Sequence, residues 1–382
     1  MANDKAFKIK NGLSAKRYLQ SSTAVAASDV DMSLGSYFTK TLSANTTFTF
    51  SNPPASGTAS SFALEVTGAD VTVGYDLSNA SYDNVTFSFS AQDGGGRGFF
   101  FKPDGTKFYI AGDDGNEINE YSMSTAWDLS TASYVSVFSV SSQDTAPFEV
   151  FFKPDGTKMY VAGDSGNTIY QYALSTAWDL STASYDNKSF YYFNQEGAAY
   201  GLTFKPDGTK FYISGPNNDT VYQYSMSTAW DISTGSYDSV SFSVSAQEAS
   251  VTAVEFSSDG TKMFVIGYTG DDVNEYSLST AWDVSSASYV QNFSVSAQAT
   301  FPASIRFKPD GTKMYILKDP SNFYQYSTSS STPATITYPA SVKWSGATAP
   351  DAPAAGEKDV YVFVTTDGGT TYYAKQAGDA VA

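Results

Sequence analysis

The chain has 382 residues and contains neither histidine nor cysteine. A Ser-His-Asp triad, a thiolate nucleophile and a His- or Cys-ligated metal centre are therefore out of reach. Carboxylate chemistry remains, and a glycosidase-like pair of acids is its simplest form. Glu149, Glu196, Glu248 and Glu255 are the residues to weigh, since each falls at or near a strand expected to line a central channel. Solvated loop or channel-mouth carboxylates would explain the same residues, so no catalytic residue is assigned. Asp113, Asp114 and Asn116, and again Asp271, Asp272 and Asn274, offer the oxygen ligands that a hard cation takes. Their spacing is not that of an EF-hand, and Asp and Asn in tight loops bond their own backbone. Neither a metal nor a cofactor is expected. Binding is the third possibility. Arg97, Phe148, Tyr200, Asn217, Tyr268 and Phe301 are the candidates, being mostly aromatic or arginine anchors of the type that concentrate binding energy.

The elements that must position these residues come from a repeat. FKPDGTK occurs at 101–107, 152–158, 204–210 and 307–313, with FSSDGTK at 256–262. Proline presets φ and glycine supplies the positive φ of a tight turn, and the flanking runs are aromatic or β-branched, so each copy predicts a hairpin. The turn aspartates, Asp104, Asp155, Asp207, Asp259 and Asp310, are spaced 51, 52, 52 and 51. STAWDLSTASY-type segments begin at 124, 175, 227 and 279, and Gln92, Gln143, Gln195, Gln247 and Gln298 keep the same beat. The second unit predicts strands at 149–154, 158–163, 168–175 and 189–193, with a loop carrying Trp178 before the last. Four-strand units of this length are propeller blades. Each Trp is expected to pack over the strand ends of its own blade, and each Gln to bond backbone of a neighbouring blade.

This repeat resembles YVTN-type and lactonase-like propellers, whose units read FSPDG-x-x-Y-V followed by N-T-V, over roughly residues 75–328. The resemblance implies a fold and is nearly silent on activity. The repeat is out of phase with the chain. YDLSNASYDNVTFSFSAQ (75–92) is the end of a unit, with Tyr75 in the Trp position, and the last unit stops at 329 before its own loop. Strand 84–90 should therefore pair with strand 322–328 and close a five-bladed ring without an open edge. The PDGTK turns would lie on one face with the entering and leaving chain. The variable loops DGGGR (93–97), GDDGN (112–116), GDSGN (163–167), GPNND (215–219), GYTGDD (267–272) and KDPSN (318–322) would lie on the other, as the recognition surface.

The flanks lack the repeat and read as halves of one small β domain. NPPASGTASSFALEVTG, ITYPASVKWSGATAPDAP and DVYVFVTTDGGTTYYA resemble a β module of marine phage tail-fibre and virion proteins, and FKIKNGL (7–13) resembles the start of such fibres. The resemblance implies a virion structural protein, a tail fibre or similar appendage, with capsid, portal or tail proteins as partners. A host-surface glycan or protein would be the ligand, and a homo-oligomer is expected. A decoration protein without a receptor and a carbohydrate-active enzyme are the alternatives. The expected architecture is all-β: a five-bladed β-propeller of about 52-residue repeats (71–332) inserted into a small split β-sandwich-like domain (21–70 plus 333–382). Residues 1–20 are expected to form a docking arm.

Carboxylates outnumber Lys and Arg 39 to 22, giving a net charge of −17, which argues against a nucleic-acid partner. No apolar run approaches a membrane span, and the first 20 residues lack the apolar stretch of a signal peptide, so membrane insertion is not expected. Synthesis in a host cytoplasm and release in a particle would fit. The arm is locally basic, and Phe7, Ile9, Leu13, Lys16 and Arg17 are its expected docking residues.

Overall fold

The structure, a computed structural model, describes residues 21–381. The arm residues Phe7, Ile9, Leu13, Lys16 and Arg17 lie outside the described residues. The chain divides into two compact units. One takes the chain up to Thr72 and again from Ser331, and the other is Val73–Ser330.

Val73–Ser330 is a closed five-bladed β-propeller. Strands a to d, counted from the channel outward, are Gly96–Phe101, Lys107–Gly112, Glu117–Met123 and Ala132–Ser139 in blade one. Blade two has Pro147–Phe152, Lys158–Gly163, Thr168–Leu174 and Ala183–Tyr191. Blade three has Gly201–Phe204, Lys210–Gly215, Thr220–Met226 and Gly235–Ser243, and blade four Val251–Phe256, Lys262–Gly267, Asp272–Leu278 and Ala287–Ser294. Blade five takes Pro302–Phe307, Lys313–Lys318 and Asn322–Ser327 from the end of the repeat and Ser81–Ser88 from its start. Asn322 pairs with Ser88 and Ser327 with Ser81, antiparallel, so the ring closes on the expected strands. Asp83 fastens the joint, accepting from Lys313 Nζ, Gln325 Nε2 and Ser327 Oγ.

The turn motif explains itself locally. Gly105, Gly156, Gly208, Gly260 and Gly311 all have φ near +70°, which a side chain resists. The turn aspartate accepts from the Thr two residues on, and the second Lys pairs with an acid on the outer strands: Glu120, Asp186, Asp238, Glu275 and Asp83 in turn. One apolar core lies between each neighbouring pair of blades, for example Phe151, Tyr160 and Ile169 of blade two against Leu202, Phe211 and Tyr224 of blade three.

Three local expectations change. Strand d of blade two begins at Ala183, not 189, because pairing continues through a bulge at Asp186–Asn187, where Asn187 takes φ +54°. Four of the five Gln side chains bond tyrosine hydroxyls where backbone groups were expected. Gln92, Gln143, Gln247 and Gln298 accept from the hydroxyls of Tyr121, Tyr172, Tyr276 and Tyr326. The Trp rings do cover their own blade's turn: a Cβ at Gly156 would sit 2.4 Å from Trp178. Yet each ring is only half-buried, and its backbone reaches the preceding blade. The Trp residues take φ of +63° to +66°. This turns the carbonyl of Trp178 toward the Tyr109 hydroxyl at 2.9 Å, and those of Trp230, Trp282 and Trp127 toward Tyr160, Tyr212 and Tyr315. The next residue but one, Leu180 in blade two, is buried in a one-turn 3-10 helix capped by Asp179. Left-handed backbone at a non-glycine residue costs free energy, and here it is offset by an inter-blade bond repeated round the ring.

The flanking unit is built on a six-stranded mixed sheet. Its order is Thr23–Ala24, Tyr37–Thr41, Ser60–Thr67, Lys358–Thr365, Tyr372–Gly378 and Val342–Trp344. The two halves of the chain meet at its centre, where Ser60 to Thr67 pair antiparallel with Thr365 to Lys358. Short parallel pairs, Asp29–Asp31 with Thr49–Ser51 and Thr46–Thr47 with Ile336–Thr337, accompany it. Val30 and Phe50 of the first pair, and Phe48 between the two, pack with Phe62 and Phe363 of the sheet.

Candidate functional site

The propeller channel is built from strand a of all five blades, and equivalent positions form layers. A β-bulge sets the layer at the loop face. In blades one, two, four and five the a–b ladder skips one residue: Arg97, Phe148, Thr252 and Ala303. Tyr200 holds the same place in blade three, just ahead of its strand. A bulge re-aims the skipped side chain, and here Arg97, Phe148 and Tyr200 meet at the channel mouth, whereas Thr252 is buried against the Ile266 and Pro302 carbonyls and Ala303 in the core between blades five and one.

Arg97 is the centre of that mouth. Its Nε donates to Asp113 at 2.8 Å, its Nη1 to Asp319 at 2.5 Å, and the guanidinium lies 5.5 Å above the Phe148 ring. Phe148 stacks on Tyr200 with centroids 4.0 Å apart, and Arg97 Nη1 also reaches the Tyr268 hydroxyl at 3.3 Å. Tyr268 meets Phe301 edge-on at 6.1 Å. Five of the six residues singled out from the sequence thus converge, and each blade supplies at least one group. Phe301 is the outermost, 59% exposed, with its N–H held by Asp271. Asn217 does not join them. Its amide packs over Gly197 in the d–a loop that leads into its blade.

The middle and lower layers hold the ion cluster. Arg306, which sequence reasoning passed over, spans the channel. It donates to the Phe99 carbonyl of blade one at 3.0 Å, the Leu202 carbonyl of blade three at 3.1 Å and the Glu255 carboxylate of blade four. Its other contact is Glu149 of blade two at 3.3 Å. Glu149 fills space left by small neighbours. A Cβ on Gly98 would sit 2.3 Å from its carboxylate, and Ser304 Oγ donates to it at 3.1 Å. The signal was present in the repeat. Four residues before each turn aspartate stand Phe100, Phe151, Thr203, Glu255 and Arg306, where two opposite charges interrupt a buried strand position.

This settles where the weighed carboxylates lie. Glu149 and Glu255 converge on Arg306, not on each other across an open cleft. Glu196 and Glu248 accept backbone N–H groups of the loops, from Gly197 and Ala198 and from Ser250, Thr269 and Gly270. Asp272 takes the amides of Asn274 and Asn292. Among the described residues no group of three or more acids is placed to hold a metal ion.

Burial pushes the Glu149 carboxyl up to about 7, against the pull of Arg306 and the Val150 N–H, and Glu255 is raised in the same direction by burial. A raised acid holds its proton in the folded chain where the unfolded chain has lost it. Stability therefore falls as pH rises from the ordinary carboxyl range to about 7. Glu149→Gln should flatten that part of the slope, leaving the share due to Glu255. Melting temperatures of both proteins across pH 4–8 check this, and an unchanged slope would mean Glu149 is ionised throughout.

The molecule thus belongs to the closed β-propellers, with a polar-aromatic mouth on the loop side of its channel and an arginine hub below. Among solved structures it is similar to a Bacteroides uniformis protein provisionally described as a 6-phosphogluconolactonase, with TM-score 0.37 and 14% identity over 70% of this chain and 66% of that one. A Lactobacillus plantarum protein gives TM-score 0.38 and 14% identity over 56% and 61%. The chain spans less than two thirds of either protein's length. Likenesses this distant bear on fold alone, and the five-bladed assignment rests on this chain's own strand pairing. No family model and no curated protein matches the sequence.

Proposed function

We propose that the protein is a non-catalytic surface protein of a phage particle, a tail fibre or similar appendage, whose propeller recognises a host-surface glycan through its loop-side mouth. The virion part of this reading rests on the resemblance of the flanking segments. The recognition part rests on one observation: an exposed ring, Phe301, stands beside Tyr268, whose hydroxyl reaches Arg97, itself held between Asp113 and Asp319. Sugars present a C–H face that stacks on rings and an edge of hydroxyls that carboxylates and guanidinium groups bond.

Phe301→Ala removes an exposed ring without opening the core. It should leave the melting temperature nearly unchanged and weaken glycan binding about tenfold, as hot-spot truncations do. Lys153→Ala, at a surface ion pair among the turns, should change neither. Binding of the full chain to a broad glycan array, followed by titration of the best binder, is the measurement. Absence of any binding, or a particle map with the DGGGR and GDDGN loops pressed against capsid or tail, would favour a structural decoration role instead.

A further inference from the structure

The turn side of the channel, treated as scaffold in the sequence, opens as a funnel of about 180 Å³. Its walls are aromatic and proline side chains, among them Phe100, Phe151, Trp127, Trp282 and Tyr75. Its polar lining, Thr203, Glu255, Ser257, Ser258 and Arg306, comes from blades three to five, and the repeat breaks most in blade four. Blade four replaces the Lys-Pro of the turn by Ser257-Ser258 and carries Glu255 where blades one and two carry Phe100 and Phe151. All three of these departures line the funnel. The Glu255 side chain is 16% exposed, whereas Arg306 behind it is 5% exposed and engaged with two carboxylates and two carbonyls. The floor therefore offers the Glu255 carboxylate, which accepts from the Phe256 N–H and from Arg306 and keeps lone pairs toward the funnel.

We propose that this funnel binds a small organic ammonium group, held by its aromatic walls and by the Glu255 carboxylate. A cation gains from ring faces and from a desolvated carboxylate together. An anion would meet the same carboxylate, with the Arg306 guanidinium buried behind it. The size suits one head group: drug-sized ligands occupy about 300 Å³ or more, and this space is smaller. The site is on the other side of the channel from Phe301 and does not depend on the glycan reading.

The test uses the full chain at constant ionic strength, with choline as probe and 3,3-dimethylbutan-1-ol as its uncharged isostere. Titration calorimetry and tryptophan fluorescence, which Trp127 and Trp282 supply at the rim, are the readouts. Choline should bind about tenfold more tightly than the alcohol, the range expected of a desolvated cation–aromatic contact. Glu255→Gln should erase that preference. Because Glu255 also pairs with Arg306, a second variant is needed: Ser258→Pro restores the residue of the other blades and narrows the rim. It also removes the Ser258 N–H bond to the Tyr75 hydroxyl at 3.1 Å, so the melting temperature should fall slightly while choline binding weakens. Equal binding of choline and the alcohol would overturn the proposal. So would the absence of heat and of fluorescence change at roughly 50 mM choline, where even a millimolar site is filled.

Discussion

Arg306→Met should destabilise the propeller by about 3–5 kcal/mol, the cost of removing one partner from a buried ion cluster. The argument is geometric. Arg306 touches a strand a of every other blade, through the Phe99 and Leu202 carbonyls and the carboxylates of Glu149 and Glu255. Its loss leaves two carboxyl groups and two carbonyls facing a methionine. The carboxyls respond by holding their protons to still higher pH, so the loss should be smaller near pH 5 and larger near pH 8. For a unit of this size the change corresponds to roughly 6–20 °C in melting temperature. Arg306→Lys should not restore the protein, since an ammonium lacks the planar fork that reaches several acceptors at once. Urea unfolding at pH 5 and pH 8 measures both effects. A variant within about 1 kcal/mol of the parent at pH 8, small for a buried pair, would show that the ring does not rely on this hub.

Trp178→Ala should cost about 3 kcal/mol, the lower end of the range for large aromatic truncations because the ring is half-buried. The ring stacks against Phe152 at 5.6 Å and Phe100 at 6.4 Å and covers the turn at Gly156. Alanine would keep the strained φ of +64° while losing the contacts that hold it. Tyr75 occupies the same place in blade five at φ +57°, with its hydroxyl donating to the Pro309 carbonyl. Trp178→Tyr should accordingly be mild, costing about 1 kcal/mol, as reductions that keep most of the buried ring do. Thermal and urea unfolding of the two variants separate the need for an aromatic ring from the need for tryptophan. An unaltered melting temperature in Trp178→Ala would place the ring outside the inter-blade packing and make it available for ligand stacking.

The sequence by itself determined the blades and their closure. A Pro-Asp-Gly turn is local chemistry, so five copies at a fixed beat fix five hairpins. The broken phase at Tyr75 and Ser327 then leaves only one partner for the first strand, and Asp83 with Lys313 and Gln325 is found at that joint. The mouth residues were also legible, since Arg97, Phe148 and Tyr200 are large groups at one offset from the turn aspartates, although loop membership did not say that Asn217 packs against Gly197.

Only the tertiary structure decided what faces what inside the ring. Arg306 meets Glu149 and Glu255 because closure of five blades stacks one offset of each repeat into a layer and the neighbouring offset into the next. Which offset reaches the channel depends on a bulge that skips Arg97, Phe148, Thr252 or Ala303. One residue more or less in a ladder turns a side chain to the opposite side. The left-handed Trp positions are of the same kind. Their carbonyls turn outward to bond a tyrosine of the preceding blade, and no property of the AWD segment alone supplies that partner. Local chemistry sets turns and strands within a few residues, whereas the buried charges and the shape of both channel mouths arise from contacts between repeats far apart in the chain.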